Sequence, residues 1–97
     1  MLFKYPSKDK LTDDEIARLG MEAELDAVNF YQQLASMTSN KLLRETLLNI
    51  AEEEKVHFGE FLSNVIDTDD KSIKDGVLEV CERAKNLGID HPSCRWL

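Results

Sequence analysis

Between residues 12 and 66 the seam positions, mostly apolar, recur at spacings of three and four, the period of one helix face. The first stretch reads Ala17, Gly20, Glu24, Ala27, Tyr31, Leu34; the second reads Leu43, Leu47, Ile50, Glu54, His57, Phe61. No proline interrupts either, and the spacing predicts helices over 12–37 and 40–66. Thr12-Asp13-Asp14-Glu15 is a capping box for the first, with its acids at the positive end of the helix dipole. Thr38-Ser39-Asn40 supplies a short turn and caps for the second helix. So short a connection lays the two helices antiparallel. A third helix is predicted over 70–88, with Ile73, Val77, Val80, Ala84 and Leu87 on one face, Gly76 weakening it and Gly88 capping it. Residues 1–11 read as an extended lead-in, and 89–97 as a tail without regular pattern in which Trp96 is a local packing anchor.

These elements make one all-α domain of 97 residues. A two-helix hairpin cannot cover its own apolar stripes, so the pattern itself asks for a partner. Composition agrees with a helical protein: 42% hydrophobic, 32% charged, four Gly and two Pro. The net charge of −7 excludes nucleic acid and anionic membranes as natural partners. No apolar run approaches the roughly 18 residues that span a bilayer, and Met1-Leu2-Phe3-Lys4-Tyr5-Pro6 lacks the apolar core of a secretory signal. A cytoplasmic protein is expected. In that setting Cys81 and Cys94 read as free thiols.

Three seam positions break the apolar pattern. Glu24 stands between Gly20 and Ala27, and Glu54 and His57 stand where Leu, Ile and Phe otherwise recur. Burying a carboxylate without compensation costs several kcal/mol or shifts its pKa until it is neutral. A cation would compensate all three groups at once. Glu54 and His57, three apart, share a helix face and can reach one ion. Glu24 lies about 15 residues before Ser39 and Glu54 about 15 after it, so both sit roughly 22 Å from the turn. Carboxylate-rich ligation with one imidazole suits iron or manganese better than structural zinc. Bundles that hold two such ions take one Glu from each of two helices and a Glu-x-x-His from each of the other two. Each part occurs once here, so two chains about a two-fold axis would complete the set with two metal ions per dimer.

Other polar positions carry less. Glu52, Glu53 and Glu60 read as a solvated face. Glu22 and Asp26 flank Glu24 off the seam, where they either line a route for incoming cations or are ordinary surface charge. Tyr31, two turns beyond Glu24, either hydrogen-bonds a metal-bound carboxylate or packs with its hydroxyl at an interface. Phe58, Phe61 and Leu62 are core residues by default. His91 and Cys94 have a metal-like spacing but lack a second pair, and read as disordered tail.

The run from Met21 to Tyr31, followed by Glu52-Glu53-Glu54-Lys55-Val56-His57, resembles the encapsulated ferritins of the ferritin-like and rubrerythrin-like superfamily. The similarity spans roughly residues 12–66, and a single half-site is closer to the encapsulated type than to rubrerythrins, which carry two halves in one chain. The resemblance implies a protomer that dimerises into a four-helix bundle, with dimers in a ring such as a decamer. It implies a ferroxidase that oxidises Fe(II) inside an encapsulin shell, where the mineral is stored. The family's ligands correspond to Glu24, Glu54 and His57, and its nearby tyrosine to Tyr31. There are departures: Ala23 replaces an acidic residue of some members, Asp26 replaces Glu, and His91–Leu97 does not look like a shell-targeting peptide. That signal is then divergent, or the domain belongs to a longer shell fusion, or the protein is not encapsulated. Two rival functions stand beside the ferroxidase: a rubrerythrin-like peroxide reductase, and a non-catalytic helical oligomerisation module whose buried polar groups fix register.

Overall fold

The computed structural model describes residues 10–69 and 71–95. All regular structure among them is helical: α1 (Asp13–Met37), α2 (Lys41–Thr68), α3 (Ser72–Asn86) and a 3-10 turn over Pro92–Cys94. The chain divides into two compact units, Met1–Val65 and Ile66–Leu97.

In the first unit, α1 starts at the expected capping box. The Thr12 hydroxyl accepts from the Glu15 backbone N–H at 3.1 Å, and the Glu15 carboxylate accepts from the Thr12 N–H at 3.1 Å. The Thr12 N–H first, and then the Thr12 hydroxyl, which donates to Glu15 Oε1 at 3.0 Å, hold the Glu15 carboxyl below its ordinary range. Most of the expected lead-in, residues 1–9, lies outside the described residues. The turn into α2 is closed by its own side chains. Asn40 Oδ1 accepts from the Leu43 N–H at 2.9 Å, capping α2, and the Arg44 guanidinium donates to the Thr38 carbonyl at 2.6 Å.

The two helices run antiparallel: Gly20 meets Phe61, and one turn further along α1 Glu24 meets His57, one turn earlier on α2. The deepest positions are mostly small: Ala17, Ala27, Val28 and Ala35 on α1, Ala51 and Val65 on α2. Small residues let the helix axes approach closely.

On α2 the covered row differs from the expected seam. It runs through Leu47, Ala51, Glu54, Phe58, Phe61 and Val65, while Leu43 and His57 are exposed. The reason is that α2 is apolar on more than one face, with Leu43, Leu48 and Val56 also outward, and one neighbouring helix covers only one stripe.

In the second unit, Lys71 takes a left-handed conformation (φ 90°), and the Ile73 N–H donates to Asp69 Oδ2 at 2.9 Å. At the far end Gly88 (φ 71°) turns the chain back, with the Ile89 N–H bonded to the Ala84 carbonyl at 2.8 Å. The tail then packs on α3, and Cys94 is disulfide-bonded to Cys81 across a Cα separation of 5.0 Å. This corrects the expectation of free thiols: the Gly88 reversal brings the two Cα atoms within the range a disulfide spans. It also corrects the expectation of a patternless tail. His91 Nδ1 accepts from the Ser93 N–H at 3.0 Å, Arg95 pairs with Asp90 at 2.6 Å, and Ser93 is buried. The buried side of α3 is accordingly Ile73, Val77, Cys81 and Ala84, with Val80 and Leu87 outward. Trp96 lies outside the described residues.

Candidate metal centre

Glu24 reaches the site from the middle of α1, Glu54 and His57 from successive turns of α2. Antiparallel packing at equal distance from the turn brings all three together, as their heights along the hairpin require. His57 Nδ1 lies 3.7 Å from Glu24 Oε2 and 3.6 Å from Glu54 Oε2. One ligating atom from each residue falls within 4.8 Å of the others, the single such group of three or more among the described residues. The carboxylates are largely covered, at 20% and 21% side-chain exposure, whereas the imidazole is open at 50%. The cluster is closed on the hairpin side and open on the other.

Its electrostatics are unbalanced. The Glu24 carboxyl is pushed above the usual carboxylate range, first by a proton it tends to share with Glu54, then by burial and by the Glu54 charge. His57 acts in the opposite direction without overcoming them. No bond is closed at Glu24 Oε2, which is buried without a hydrogen-bond partner. Natural interiors seldom leave a polar atom so. A cation fits this donor set: it satisfies the orphaned oxygen, relieves the repulsion between two carboxylates and accepts the imidazole.

The other candidates lie apart from this cluster. Glu22 is exposed and lines an open hollow of about 310 Å³ with Leu11, Glu15, Arg18 and Leu19, where Arg18 opposes a cation route. Asp26 is half-buried, and neither acid joins the triad. Tyr31 is half-buried with its ring edge-on to Phe30, centroids 5.6 Å apart. Glu52, Glu53 and Glu60 are exposed, Glu52 paired to Lys55 at 3.0 Å. Sequence reasoning placed Gly20 and Phe61 on the seam but missed that they touch; the small residue opposite a large one was the available signal.

Known proteins similar to this chain share a setting. It is 42% identical over 71 residues, 70% of its length, to the ferritin-like-encapsulin shell fusion protein of Pyrococcus furiosus. It is 41% identical over 51 residues, 50% of its length, to the encapsulin nanocompartment cargo protein EncC of Myxococcus xanthus. Both relatives are encapsulin-associated. The matched stretches make up 21% of the first protein and 39% of the second, so this chain spans a minor part of each. No protein-family model matches the chain, and no solved structure matches it. No helix among the described residues is long and apolar enough to cross a membrane.

Proposed function

We propose that this chain is half of a di-iron ferroxidase, completed by a second copy and working within an encapsulin compartment on iron storage or detoxification. The observation that carries the reading is the cluster itself: two covered carboxylates, one of them with an orphaned oxygen, beside an imidazole open on the far side. One chain offers too few donors for two ions. A two-fold related copy doubles them to four Glu and two His in a four-helix bundle, the complement that bundles with paired metals use. That copy would also cover apolar residues a lone hairpin leaves outward, among them Leu25, Phe30, Leu43 and Val56. Ring assemblies such as a decamer are compatible extensions of the same dimer. The encapsulin shell as partner rests on the two relatives.

Fe(II) is the substrate, held by Glu24, Glu54 and His57. Iron supplies the redox chemistry, passing an electron to dioxygen as Fe(II) becomes Fe(III). The residues supply the bias. Carboxylate charge favours the more highly charged ferric ion, and imidazole completes the donor set while leaving coordination positions free for the oxidant. Glu54 and burial make the Glu24 carboxyl bind a proton more tightly than an ordinary glutamate, and a cation competes with that proton, so uptake strengthens as pH rises. Stopped-flow oxidation of Fe(II) tests the proposal. Glu24→Ala and His57→Ala are each expected to slow it at least about tenfold with helix content retained. Unaltered kinetics in both variants would remove the ferroxidase assignment.

A further inference from the structure

Of the two helical glycines in the first unit, Gly20 and Gly59, the first is enclosed and the second is not. A Cβ placed on Gly20 would meet Cε1, Cδ1 and Cζ of Phe61 at 2.5, 2.6 and 2.7 Å, whereas one on Gly59 would meet nothing within 4 Å. The Phe61 ring occupies the room that a side chain at position 20 would need. Carbon atoms in ordinary contact stand about 3.5–4.0 Å apart, so any larger residue at 20 must displace the ring, or the helices, by about 1 Å.

This contact stands next to the candidate metal centre. Gly20 precedes Glu24 by one helical turn on α1, and Phe61 follows His57 by one turn on α2. In an antiparallel pair both steps lead in the same direction, so the ring seats about 6 Å along the hairpin from the triad. Two stiff helices pinned at that level have their separation fixed at the next one. We infer that Gly20 and Phe61 are positioning residues, a ring-in-notch wedge that sets the distance across which Glu24 faces Glu54 and His57. The inference rests on reading that cluster as a metal site. Metal–ligand distances are set to within about 0.2 Å and functional geometry to about 0.5 Å. A shift of 1 Å at the wedge is therefore large for the site, although neither residue carries a donor.

The test is a double-mutant cycle on the full chain, with Co(II) as a spectroscopic probe and metal-free crystal structures alongside. Gly20→Ala and Phe61→Leu are each expected to weaken Co(II) binding about tenfold to a hundredfold. The double variant, in which the new methyl takes room the ring has left, is expected to return to within about threefold of the starting protein, a non-additive result. Gly59→Ala, also a helical Gly→Ala change but in open space, is expected to bind as the starting protein does. In metal-free crystals the 3.7 Å gap between Glu24 and His57 is expected to lengthen in Gly20→Ala and close again in the double variant. Should Gly20→Ala fail to fold, Phe61→Leu against the double variant supplies the same comparison. Additive weakening in the double variant, or unchanged affinity and gap in Gly20→Ala, would overturn the wedge. A starting protein that takes up no Co(II) would overturn the metal reading instead, and the gap in the metal-free crystals would then decide the wedge.

Discussion

At Glu24 the folded protein holds one carboxyl against another, and its affinity for a proton is raised. A carboxyl that binds protons more tightly folded than unfolded makes stability fall as pH rises through its folded pKa. For metal-free protein this contribution is fully present below the ordinary glutamate pKa of about 4.3 and is lost as pH rises through the raised folded value. Glu24→Gln removes the charge and offers Glu54 a donor, so it is expected to stabilise metal-free protein at pH 7 by about 1 kcal/mol. The gain should vanish near pH 4, which urea unfolding at the two pH values reads directly. A variant less stable than its parent at pH 7 would contradict this account of the site. Residue identities were legible in the sequence here because Glu24, Glu54 and His57 interrupt two apolar rows at matched heights. Their burial was less so. His57 stands half open because no element of this hairpin covers that side, and a period of three and four does not say which of several apolar faces a neighbour will take.

Among the elements, α1 and α2 follow from the capping box, the seams and the Asn40 cap, all local signals. The Gly20–Phe61 contact was hidden because it depends on which residues meet across the hairpin. The second unit shows the same limit more sharply. Gly88 was readable as a cap, yet two cysteines with a sequence separation of 13 gave no sign of pairing until the chain reversal brought them together. A disulfide closing a loop of roughly this size stabilises by about 3 kcal/mol, chiefly by restricting the unfolded chain. Few buried side chains stand between α3 and the tail, so reduction, or Cys94→Ser, is expected to release residues 89–95 while leaving α1 and α2 folded. Amide hydrogen exchange checks this: protection should fall across Ile89–Arg95 and hold across Ala17–Ala35. Unchanged protection of the tail after complete reduction would show that packing, not the disulfide, holds it.

At the scale of the whole molecule, the proposed function makes one chain an incomplete unit. Apolar residues as large as Leu25, Phe30, Leu43 and Val56 remain outward on the hairpin, and the donor cluster is open through His57. One partner would answer both facts, because a two-fold copy buries apolar surface and adds the missing ligands with the same contact. The most direct measurement is an anaerobic Fe(II) titration followed by native mass spectrometry, which reads assembly size and bound iron together. Assemblies of even chain number with two iron ions per pair of chains are expected, with that iron lost in Glu54→Ala. A stable oligomer that binds no iron, or binds it equally well without Glu54, would contradict the proposed function and leave a helical interaction module in its place.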